Sequence, residues 1–127
     1  MDYMVRIDFQ LLGTSLSPKE ITGLTGILPD TELKRGGRDK ARDLPRQSIW
    51  SKMSHVHSDE VSAHWDDLGS FLLGYSEILK GIADTGKAKL TIVVKSHDRI
   101  PSIQIPPEMS KFAGFVGAVI DIDHIQY

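Results

Sequence analysis

The sequence predicts an α+β domain of two layers, mainly an antiparallel sheet with helices packed on one face. Three observations predict it. Segments of period two open, divide and close the chain, and helical stretches with one apolar stripe separate them. Between the third and fourth strands the turn residues read as a hairpin, which departs from strict βαβ alternation. The length of 127 residues suits one compact domain and no internal repeat, low-complexity tract or second domain appears, so residues 1–127 are expected to form a single domain.

Taken in order, residues 3–12 alternate. Tyr3, Val5, Ile7, Phe9 and Leu11 share one face, while Arg6, Asp8 and Gln10 share the other. Gly13 breaks the strand, and Ser17-Pro18-Lys19-Glu20 supplies a capping box with proline at the first helical position. That helix carries Ile21 and Leu24 and is short, since Gly23 and Gly26 weaken it and Pro29 ends it. Residues 34–46 have almost no apolar content and read as a mobile basic loop. A strand over residues 48–53 follows, with Ile49, Ser51 and Met53 alternating against Trp50 and Lys52. Both sets carry a large side chain, so its register stays open.

Ser58 is the expected cap of the main helix, with Asp59 and Glu60 in its first turn. Val61, Trp65, Leu68, Leu72 and Tyr75 form its core stripe, with Phe71 beside it. Gly74 interrupts it, and Ile78, Leu79 and Ile82 continue a shorter piece. Residues 88–96 are the strongest strand, expected to turn at His97-Asp98-Arg99 into a hairpin with Ile103-Gln104-Ile105. Pro106 and Pro107 open a last helix through Val116, and residues 118–123 close the chain as a strand.

Two stretches have a familiar shape. Residues 16–30 (LSPKEITGLTGILPD) read as a short helix followed by Leu, Gly, Ile, one residue and Pro. Residues 112–123 (FAGFVGAVIDID) read as a helix, Gly-Ala, then alternating Ile and Asp. With a tryptophan strand after a polar loop between them, the chain resembles the bacterial family known as domain of unknown function 4279. Members of that type tend to end in an aromatic just after the acidic strand, whereas here His124-Ile125-Gln126-Tyr127 intervenes. The resemblance implies a small cytosolic α+β domain and supplies no reaction centre.

Composition excludes more than it assigns. Without cysteine there is no disulfide scaffold, thiolate metal centre or cysteine nucleophile. The N-terminus lacks a basic region ahead of an apolar core, and no apolar run approaches a membrane span of ~18–20 residues. A cytoplasmic, non-membrane protein is expected. No P-loop or nucleophile-elbow pattern occurs, and the basic loop has no interleaved aromatics to stack bases, so nucleic acid is not the expected partner.

Residues 55–60 (HVHSDE) nearly spell the H-x-H-x-D-H run of binuclear metallohydrolases, but the last position is Glu60. Solvated histidines in a strand-to-helix loop are the expected reading. Asp8, Asp121 and Asp123 belong to polar strand faces, and ion pairs with Arg6, Lys52, Lys89 and Lys95 are expected to absorb them. The net charge of −2 divides unevenly. Residues 34–46 hold six basic and two acidic residues, which leaves −6 on the rest of the chain. Part of that excess is Asp59, Glu60, Asp66 and Asp67, all off the apolar stripe, an acidic ridge suited to a basic protein partner. Trp50 beside Lys52 is a second candidate contact, because tryptophan is a favoured interface anchor.

The sequence therefore predicts a non-catalytic binding protein without metal or cofactor. Its expected role is that of an immunity-type protein neutralising a basic bacterial toxin domain. The alternatives are a metal-dependent hydrolase using His55 and His57 with Asp121 or Asp123, and a small-molecule sensor.

Overall fold

The alternation of the first strand decides how the two layers meet. In a computed structural model that describes residues 5–34, 47–97 and 102–126, β1 (Val5–Leu12) turns Val5, Ile7, Phe9 and Leu11 into a continuous core. It is the central strand of five. β2 (Thr31–Leu33), β3 (Ile49–Met53), β1, β4 (Lys87–Ser96) and β5 (Ala118–Gln126) lie side by side in that order. Neighbours are antiparallel except β4 and β5, which run parallel. A parallel pair needs a crossover, and α4 (Pro107–Val116) supplies it.

The helical layer is built from α1 (Pro18–Thr25), α2 (Val61–Leu72), α3 (Ser76–Ala83) and α4. Ser17 and Glu20 close the capping box on α1, and hydrogen bonds from the Ser17 backbone and hydroxyl hold the Glu20 carboxyl below its ordinary value. Gly74 falls in a single 3-10 turn, Leu73–Tyr75, that separates α2 from α3. At the far end of α3, Gly86 approaches the β1–α1 turn so closely that a Cβ would lie 2.5 Å from the Leu12 carbonyl. The Ser15 amide donates to Thr85 Oγ1 across the same junction.

Four expectations differ from the structure. No strand forms over residues 103–105; the turn expected at His97-Asp98-Arg99 lies largely outside the described residues, as does the basic loop beyond Lys34. β2, only three residues long, was too short to give a periodic signal and pairs with β3. Tyr75 is exposed rather than part of the core stripe, because the 3-10 turn shifts the helical phase after Leu72.

The fourth concerns the start of α2. Its cap is Glu60, in extended geometry and with no side-chain hydrogen bond, so Asp59 and Glu60 precede the helix. The reason is local. The Ser58 hydroxyl accepts from the Glu60 amide, and the Ser58 carbonyl faces His64 Nε2 at 2.7 Å. Ser58 is thus committed two residues before the cap, and Asp59 and Glu60 lie outside the first turn of α2.

Candidate partner-binding surface

Register, which the sequence left open for β3, settles two candidate contacts. Leu11 pairs with Trp50 and Phe9 with Lys52, so both side chains point to the helical layer. Trp50 is fully buried, edge-on to Phe9 at 6.5 Å, with its indole N–H donating to Thr22 Oγ1. It is a core residue and not a surface anchor. Lys52 is also buried, its ammonium 4.5 Å from the centre of the Phe71 ring and 3.9 Å from Asp30 Oδ2. Neither residue belongs to a partner surface, because the sheet face they occupy is covered by helices.

The acidic residues divide between two places. Asp66 is exposed on α2, whereas Asp67 is half-buried and its Oδ2 accepts the His55 amide at 2.8 Å. His55 also faces Asp30, whose Oδ1 lies 2.6 Å from Nε2, while Asp30 Oδ2 accepts the Met53 amide. Asp30 and Asp67 therefore clamp the chain as it leaves β3. Asp59 and Glu60 lie further along, both exposed, and with Ile105, Pro106 and Pro107 they line a groove of about 480 Å³. Of the four acids expected to form the ridge, Asp59, Glu60 and Asp66 are exposed, and Asp67 serves mainly to hold the His55 amide.

Sequence reasoning missed Asp30. Nothing marks it locally, since its partners lie more than twenty residues away and only the β2–β3 pairing brings them together. Partial burial pushes its carboxyl up. The Met53 amide, the His55 ring and the nearby Lys52 charge together outweigh that and leave it below the ordinary Asp value of 3.8. A depressed folded value gives stability that is fully present above the unfolded value and lost as pH falls through the folded one. The stability difference between the wild-type chain and Asp30→Asn is expected to shrink as pH falls from about 5 to below about 4. Urea titrations of both proteins across that window provide the check; a difference that does not change with pH would contradict it.

The other polar candidates are kept apart. On the sheet face away from the helices, Asp8 and Asp121 stand in register with Thr91 between them. Each carries its own cation, Arg6 at 2.8 Å from Asp8 and Lys89 at 3.5 Å from Asp121. Lys52, expected among these partners, lies on the opposite face. His55 follows β3 and Asp121 is on β5, three places along the sheet. Among the described residues no group of three or more His, Asp or Glu could hold a metal ion.

Residues 3–127 match the family described as domain of unknown function (DUF4279). The chain belongs to that family. No curated protein and no solved structure matches the sequence. For this DUF4279 chain the resemblance seen in residues 16–30 and 112–123 therefore marks the helix cap of α1 and the α4–β5 corner. No helix among its described residues is long and apolar enough to cross a membrane.

Proposed function

We propose that this DUF4279 chain is a non-catalytic binding protein of the immunity type, which neutralises a basic bacterial toxin domain in the cytoplasm through its acidic surface. One observation carries the reading. Asp59 and Glu60 stand on the wall of a groove whose other side carries an apolar stretch, Ile105, Pro106 and Pro107, beside the polar Ser102 and Gln104. Such a groove takes the aliphatic stem of a lysine or arginine along its apolar stretch while the charged head meets the carboxylates. Asp66 extends the same sign of charge onto α2, where it makes no ion pair among the described residues. Acids placed this way accelerate encounter with a basic partner and disfavour acidic ones.

The test is to identify the genes that neighbour this chain's own, expected to include one for a toxin domain, and to co-express that product with the chain. The wild-type chain is expected to restore growth, and Glu60→Lys/Asp66→Lys to lose that protection while unfolding at the same urea concentration. Asp67 is left intact in this variant because it holds the His55 amide. Full protection by the double variant, or a neighbouring gene set without a toxin, would overturn the proposal.

A further inference from the structure

We propose a second docking site, the free edge of β5, which adds an extended segment of a partner protein as a sixth strand. The segment it fits alternates basic and apolar residues. This site goes beyond the acidic surface of α2 and stands without it.

The sheet ends differently on its two sides. β2 is an edge of three residues, too short to template much pairing, whereas β5 offers nine residues in unbroken register with β4. Its other edge meets no strand among the described residues. Natural edge strands of this length are blunted by charged side chains, proline, bulges or a covering element. β5 contains neither lysine nor proline, and its pairing with β4 shows no bulge. It carries charge instead, Asp121 and Asp123, set among apolar side chains that lie on both faces. Val119 and Ile125 face away from the helices and are 51% and 40% exposed, and Ile122 on the helical side is 48% exposed. Phe115, on the helix that leads into this strand, is 44% exposed.

Asp121 and Asp123 decide which occupant fits. Both project from the face away from the helices. Lys89 meets Asp121, but the register neighbour of Asp123 is Val93, and Asp123 makes no ion pair among the described residues. A second copy pairing about a two-fold axis at Ile122 sets Asp121 opposite Asp123 twice. Moving the axis to either aspartate sets that residue against its own copy. Like charges directly opposite are destabilising, so self-pairing in these three registers is opposed. A foreign strand with lysine or arginine on that face meets both carboxylates, and its apolar residues fall beside Ile122 on the other. Backbone hydrogen bonds supply affinity in this mode, and the alternating side chains supply selectivity.

The probe is a short blocked peptide alternating valine and lysine, compared with its valine–glutamate counterpart on the full chain. Fluorescence anisotropy is expected to show the lysine peptide binding at least about tenfold more tightly, as the reversal of two cross-strand charge pairs implies. Amide exchange should slow within residues 119–125 only when the lysine peptide is bound. Asp123→Lys is expected to reverse the preference, and Ile122→Lys to abolish binding of both peptides. Glu60→Lys/Asp66→Lys should bind the lysine peptide as the wild type does, which separates this site from the acidic surface. Three results would each overturn the proposal: equal binding of the two peptides, binding without protection of residues 119–125, or a free chain that dimerises with those amides already protected.

Discussion

Trp50→Ala is expected to destabilise the domain by about 3–5 kcal/mol, the usual cost of removing a fully buried tryptophan. That loss is comparable with the whole stability of many domains, about 5–15 kcal/mol. The size follows from position. Trp50 is fully buried where β3 meets α1, and Phe9 links it edge-on to Phe112, 5.7 Å away, which in turn lies 5.4 Å from Trp65. The indole also ties the layers together through Thr22 Oγ1 at 3.1 Å. Trp50→Phe keeps much of the apolar volume and loses that hydrogen bond, so a smaller cost of about 1–2 kcal/mol is expected. Urea unfolding followed by far-ultraviolet circular dichroism separates the two variants. A Trp50→Ala chain as stable as the wild type would show that this residue is not part of the core.

His64→Phe is expected to cost about 2–4 kcal/mol, although it exchanges a buried ring for a more apolar one. His64 is 1% exposed on α2 and uses both ring nitrogens. The Ser58 carbonyl can only accept, so Nε2 carries the proton that faces it. In the tautomer with the proton on Nε2, Nδ1 accepts from the Ser54 hydroxyl at 2.7 Å, and Ser54 Oγ accepts in turn from the Ile7 amide of β1. Phenylalanine leaves the Ser54 hydroxyl and the Ser58 carbonyl without this partner. Because Ser54 and His64 belong to one network, Ser54→Ala and His64→Phe should be non-additive in a double-mutant cycle. Simple addition of the two costs would show that they act separately. Faster amide exchange over residues 55–60 is expected in either variant, since this network positions the loop that carries Asp59 and Glu60.

Much of the fold was legible in local patterns. The alternation of β1 and β4, the capping box of α1, the break at Gly74 and the left-handed glycine that ends α4 each rest on neighbours within a few residues. The expected hairpin failed for the opposite reason. Ile103-Gln104-Ile105 has strand-like residues, but β4 already has β1 on one side and β5 on the other, so no edge remains for it. The site was less legible. Asp66 and Asp67 both lie off the apolar stripe, yet Asp66 is exposed while Asp67 holds the His55 amide. Asp30 gave no signal, because its partners are assembled by a strand of three residues.

By itself the sequence determined the two-layer class, the apolar face of each long element and the uneven charge, because periodicity and composition are properties of neighbouring residues. Only the tertiary structure decided which face of β3 is covered. A one-residue difference in register exchanges the two faces of a strand, and with both faces carrying a large side chain the local pattern cannot choose between them. Pairing of Leu11 with Trp50 made that choice, placed the tryptophan and Lys52 under the helices, and moved the candidate surface to Asp59, Glu60 and Asp66. Strand order decided the rest: it left β5 at the edge of the sheet with apolar side chains on both faces, a fact that no window of sequence contains.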